Sequence, residues 1–116
     1  MKNSVKIISL VIVMSIIATM LLSCGVSGED IVGTWKGTWT YNGATYENTI
    51  HIYNDGTYSS TTYKNGLWND YESGGWEIDG KEVRLYEGSI TYKGSYKVYK
   101  YKNGNLINGN HTFKKS

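Results

Sequence analysis

Two patterns of apolar side chains divide the chain. Residues 7–22 form a run without a single charge, whereas beyond Asp30 apolar positions recur at every second residue. The first pattern is a helical run shorter than the roughly 20 residues that span a bilayer. The second has the period of a β-strand, whose side chains point alternately to opposite faces.

Alternation assigns the faces. Trp35, Gly37, Trp39 and Tyr41 share one side of a first strand, and Thr34, Lys36, Thr38 and Thr40 the other. Ile50 and Ile52 fall together on a second, opposite Glu47, Thr49 and His51. Tyr58 starts the inner face of a third, over 57–64. Trp76 with Ile78, then Val83 with Leu85, make the clearest hairpin. After Gly88 the parity blurs. Ile90 and Tyr92 suit a short strand, and 95–102 a longer one with Tyr96, Val98 and also Tyr99 as inner candidates; Leu106 and Phe113 close the series.

Turn dipeptides punctuate these runs: Asn42-Gly43, Asp55-Gly56, Asn65-Gly66, Gly74-Gly75, Asp79-Gly80, Asn103-Gly104 and Asn108-Gly109. Asn and Asp tolerate left-handed backbone and Gly has no side chain to clash, so such pairs suit two-residue hairpin turns. The expected fold class is all-β, seven or eight antiparallel strands in an up-and-down barrel or a curved meander. Closure into a barrel would remove the unpaired edges.

Composition narrows this picture. There are four Trp, eleven Tyr and one Phe but no Pro, so aromatic rings must fill most of the core. The formal charge of +2 comes from Lys2 and Lys6; without them ten basic residues face ten acidic ones. That balance argues against a nucleic-acid surface. The Lys/Tyr alternation over 92–102 reads as a half-solvated strand, its lysines discouraging edge pairing.

The start of the chain has the layout of an export signal, two lysines before the apolar run and a small residue before a cysteine. Leu21-Leu22-Ser23-Cys24 resembles a bacterial lipobox, with Leu22 bulkier than usual at its position. The resemblance implies cleavage after Ser23, a diacylglyceryl group on the Cys24 thiol and an acylated new amino terminus. The division expected is thus a signal peptide over 1–23, a lipidated Cys and polar tether over 24–30, and one domain over 31–116. Cys24 is the sole cysteine, so the domain folds without a disulfide. The location implied is the bacterial envelope, the outer membrane in a Gram-negative cell and otherwise the outer face of the plasma membrane.

Further on, Ile31-Val32-Gly33-Thr34-Trp35-Lys36 resembles the Gly-x-Trp opening strand of the lipocalin superfamily. Ile50-His51-Ile52-Tyr53-Asn54-Asp55-Gly56-Thr57-Tyr58 is similar to the family's strand–turn–strand, and Gly75-Trp76-Glu77-Ile78-Asp79-Gly80 to a later hairpin of small bacterial lipocalin-like lipoproteins. The resemblance implies a barrel in which Trp35 plugs one end. Larger lipocalins stack a late-strand Arg over that Trp; the only Arg here is Arg84, and the last strand offers Lys114 and Lys115 instead.

Candidate sites follow from the aromatics. Trp35, Trp39, Tyr58 and Trp76 are expected as core or barrel-end rings, with stacking on a ligand as the competing role. Trp68 and Tyr71, in an expected polar, glycine-flanked loop over 65–72, are candidates for ligand or partner contact, against the favoured placement of Trp68 folded back over a barrel end. His51 and His111 lie on separate strands without zinc spacing, and no nucleophile elbow is present, so neither metal, cofactor nor catalysis is expected. The acidic residues read as turn or outward positions. Two functions remain: a membrane-anchored module binding a small apolar or amphipathic molecule, or an envelope protein-interaction or inhibitor module with a filled barrel. The expected state is a monomer.

Overall fold

Eight strands follow one another around a closed barrel, each hydrogen-bonded to its neighbours in sequence and the last returning to the first. They are β1 (Gly33–Tyr41), β2 (Ala44–Ile52), β3 (Thr57–Lys64), β4 (Leu67–Asp79), β5 (Glu82–Glu87), β6 (Tyr96–Lys102), β7 (Asn105–Asn108) and β8 (His111–Lys115). A single helical turn, α1 (Gly28–Ile31), precedes β1. This computed structural model describes residues 26–88 and 95–116. The leader, Cys24 and the short strand expected around Ile90 and Tyr92 lie outside the described residues. The architecture is that of a small lipocalin-like up-and-down barrel, and the alternative of an open meander is ruled out by the β1–β8 pairing of Trp35 with Lys115 and Lys36 with Lys114.

Asn-Gly pairs set three of the hairpins. Asn42-Gly43, Asn65-Gly66 and Asn103-Gly104 are the central residues of two-residue turns, with φ positive at both positions of each, the conformation that matches strand twist. At Asp79-Gly80 and Asn108-Gly109 the turn sits one residue later, since Asp79 pairs with Glu82 and Asn108 with His111. In the β2–β3 connection the Asp55 carboxylate accepts from Thr57 N (2.9 Å) and Thr57 Oγ1 (2.6 Å), and these bonds hold its pKa below the ordinary value.

Gly74-Gly75 is not a turn, contrary to the sequence expectation. Both residues lie inside β4, where Gly74 pairs with Glu87 and Gly75 with Tyr86. A Cβ on Gly74 would lie on the backbone carbonyl of Tyr86. The glycine is there for close strand approach, a second use of glycine within sheets. Gly74→Ala is expected to cost about 3 kcal/mol, the upper end of overpacking, because the obstacle is backbone that cannot rotate away. A urea midpoint unchanged from that of the exposed control Ser73→Ala would refute this.

The core lies toward the end of the barrel where β1 starts. Ile31, Trp35, Ile50, Ile52, Tyr58, Val83, Leu85 and Leu106 are buried there, the inward positions that alternation assigns on β1, β2, β3 and β5. On β6 the expectation is corrected: Tyr99 and Tyr101 point into the core, while Tyr96 is exposed and Val98 lies on the outer face opposite Arg84. Tyrosine can present either an apolar ring or a wet hydroxyl, so parity could not be read from residue type alone.

α1 closes this end, and the polar segment expected as a free tether is in fact ordered from Val26. Val26 N donates to Gly80 O (3.1 Å), Ser27 and Asp30 form a capping box, and Ile31 is fully buried. Trp35 Nε1 donates to Ile31 O at 2.8 Å. Lys115 takes the place of the missing arginine: its Nζ lies 5.6 Å from the Trp35 ring centroid and donates to Asp30 O (3.1 Å). Trp76 covers the base beside α1, its Nε1 donating to Tyr53 O at 2.8 Å.

Candidate functional site

At the opposite end the inward positions change character from apolar to polar. Trp39 on β1, Asn48 on β2, Ser60 and Thr62 on β3, Asp70 and Glu72 on β4, Lys97 on β6 and His111 on β8 all face an open mouth of about 180 Å³. The cavity floor is the aromatic lid of the core, Tyr99 and Phe113 packed edge to face at 5.6 Å. One strand therefore contributes to both halves: β1 gives Trp35 to the plugged end and Trp39 to the mouth.

One wall is aromatic. Trp39 is sandwiched between His111 (4.1 Å between centroids, 13° between planes) and Tyr46 (5.9 Å, 12°), with Phe113 edge-on at 6.3 Å. Gly37, two residues before Trp39 on the same face, leaves the room that Phe113 occupies; a Cβ there would lie 2.8 Å from the ring. Burial, then Glu72, pushes the Tyr99 phenol up, so it stays neutral at any ordinary pH.

The facing wall is polar. Asn48, only 5% exposed, donates from Nδ2 to Ser60 Oγ (2.8 Å), Thr61 O (3.0 Å) and Thr62 Oγ1 (3.1 Å). Lys97 Nζ pairs with Glu72 Oε1 at 2.9 Å across the barrel, and Asn108 Nδ2 donates to Val98 O at 3.2 Å. Burial with nearby Glu72 and Glu87 pushes the Tyr58 phenol up just below this wall.

Of the residues singled out from sequence, Trp35, Tyr58 and Trp76 are at or toward the plugged end and Trp39 is at the mouth. Trp68 and Tyr71 are not in a loop: both lie on β4, 66% and 54% exposed, on the outer face. Trp68 sits opposite Tyr63 and Tyr71 opposite Thr61. Trp68 is therefore not folded over the barrel end. A bulge turns Trp68 outward: the register shifts between Thr62 and Tyr63, leaving Asn69 unpaired, so side-chain parity changes within β4.

The polar residues of the mouth, Asn48, Asp70, Glu72, Lys97, Asn108 and His111, were missed as a group. Counting back by twos from Ile78 and Trp76 brings Glu72 and Asp70 inward, which corrects their reading as turn or outward positions. Among the described residues no three His, Cys, Asp or Glu side chains form a metal site. Searches of protein-family models, curated proteins and solved structures with this chain return no match.

Proposed function

We propose that this chain is a lipid-anchored lipoprotein of the bacterial envelope whose lipocalin-like barrel holds a small amphipathic molecule in its open mouth. The observation that carries this reading is the asymmetry of the interior. One half is filled by its own side chains, and the other opens a cavity with an aromatic wall facing a hydrogen-bonding wall. Such two-sided lining suits a ligand with an apolar body and a polar head. A volume of about 180 Å³ is well below the roughly 300–1,000 Å³ of drug-sized pockets, so a whole lipid chain is not the cargo. The lipobox supports the anchor, and the reading includes no catalysis and no cofactor.

The test is a screen of small amphipathic fragments by NMR on the isotope-labelled full-length protein in neutral detergent. Expected are shifts concentrated on Trp39, Asn48, Asp70, Tyr99, Asn108 and His111. A screen in which no fragment perturbs these residues would remove the reading.

A second reading, docking of an envelope protein, is favoured by one observation. Tyr63, Leu67, Trp68 and Tyr71 are exposed together around the β3–β4 hairpin, and exposed aromatic groups mark contact surfaces. It expects Trp68→Ala to weaken capture of a partner by at least about ten-fold, since interface tryptophans are often hot spots. Unchanged capture would count against it.

A further inference from the structure

We propose that the mouth is a site for a small organic cation, an ammonium or guanidinium group carried on a short alkyl or aryl body. The inference rests on the small-molecule reading of this cavity and assigns its ligand class. It is carried by two acceptors on the cavity wall that have no donor among the described residues, the Asp70 carboxylate and the Asn48 amide oxygen.

The amide and ammonium donors are already engaged, and the other donors on the wall are hydroxyls, the Trp39 indole and the His111 ring. Asn48 Nδ2 has three acceptors, Asn108 Nδ2 has the Val98 carbonyl, and Lys97 Nζ is bound to Glu72. The acceptors are left over. Thr61 O can only accept, so the Asn48 atom facing it must be the amide nitrogen, which fixes the side-chain orientation. Asn48 Oδ1 then lies on the side away from β3, with no donor among the described residues, in a side chain that is 5% exposed. An amide oxygen in so buried a side chain is unfavourable without a donor, which water or a ligand can supply. Oδ1 is not sealed off, since Arg84 Nε is the one fully enclosed polar side-chain atom without a partner among the described residues.

Charge points the same way. Two carboxylates, Asp70 and Glu72, line the cavity with one lysine, and Glu72 is the one Lys97 neutralises. Asp70 lines the cavity without an ion-pair or hydrogen-bond partner among the described residues. A ligand with several N–H groups and a positive charge would satisfy Asp70 and Asn48 Oδ1 together. An anion would meet the unpaired Asp70 carboxylate. The faces of Trp39 are covered by His111 and Tyr46, so the ligand's apolar body would rest on the Tyr99–Phe113 floor, where ring faces also favour a cation.

The experiment titrates full-length protein in neutral detergent with benzylamine at pH 7, where it is benzylammonium, and with benzyl alcohol and benzoate as neutral and anionic counterparts of similar size. Expected is saturable binding of benzylammonium at the mouth, at least ten-fold tighter than benzyl alcohol, and none of benzoate. Asp70→Asn should weaken benzylammonium about ten-fold while leaving benzyl alcohol unchanged. Asp79→Asn, at the plugged end, should alter neither. Shifts of the mouth residues by benzyl alcohol or benzoate as strong as those by benzylammonium would overturn the cation assignment and leave the small-molecule reading standing. Undiminished benzylammonium binding by Asp70→Asn, or its displacement by equimolar calcium chloride, would also overturn it. Absence of mouth shifts with all three probes would overturn both.

Discussion

Trp35→Ala is expected to remove about 3–5 kcal/mol of stability, the usual cost of truncating a fully buried tryptophan. The side chain is 0% exposed and contacts three other elements. Its ring packs edge-on against Tyr101 of β6 at 6.5 Å, its Nε1 holds the Ile31 carbonyl of α1, and its face receives Lys115 of β8. Truncation leaves a cavity, an unmatched carbonyl and a cation without its ring. Small domains have a total of about 5–15 kcal/mol, so the variant should be close to its unfolding threshold. Each kcal/mol corresponds to about 4–8 °C in Tm for a domain of this size. Trp35→Phe separates the contributions: it keeps an aromatic ring and loses the N–H, and should cost about 1–2 kcal/mol through the lost hydrogen bond. Urea unfolding followed by circular dichroism reads both. A Trp35→Ala midpoint within error of the parent would mean that α1 and β8 close the barrel without this ring.

Why Trp35 could be recognised from sequence and the mouth could not is a matter of range. Trp35, Ile50, Ile52 and Tyr58 sit in strands whose alternation is unbroken and whose turns, such as Asn42-Gly43, are specified by two adjacent residues. Local chemistry is sufficient there. Gly74-Gly75 resembles a turn by the same local logic, and only the carbonyl of Tyr86, twelve residues on, shows that it is a close approach. Trp68 faces outward because a bulge at Asn69 shifts parity, and a bulge depends on how β4 fits β3, whereas Tyr71 is outward by plain alternation from Trp76.

The mouth itself depends on closure. Asp70 and Glu72 on β4, Lys97 on β6, and Trp39 with His111 on β1 and β8 become neighbours when eight strands form a ring. No spacing along the chain encodes that meeting. Lys115 is intermediate: the sequence offers Lys114 and Lys115 on the last strand, and only the closed barrel places the Lys115 stem and ammonium over Trp35.

Cys24→Ala is expected to abolish incorporation of labelled palmitate and to release the domain from membranes, an all-or-none change. One acyl chain gives marginal, reversible membrane binding, whereas two give stable anchoring, so on the proposed reading removal of Cys24 takes the anchor with it. The ordered N-terminal segment adds a directional consequence. Val26 N is fixed to Gly80 O at the plugged end of the barrel. Cys24, two residues earlier in the chain, is within a reach of about 7 Å, a tighter limit than the roughly 20 Å of a six-residue flexible tether. A nine-residue strand such as β1 is about 30 Å long. With Cys24 acylated as proposed, the plugged end would face the bilayer and the mouth would open away from it, where a soluble ligand could enter without crossing headgroups. Nitroxide-labelled lipids should broaden the NMR signals of Gly80 and Asn103, at the plugged end, more than those of Asn42 and Asn65 beside the mouth. The Cys24→Ala protein should show no broadening at either end. Palmitate label on that variant, its mature-length domain in the membrane pellet, or equal broadening at both ends of the parent barrel would sink this arrangement. The first two outcomes would remove the anchor, and the third the orientation alone.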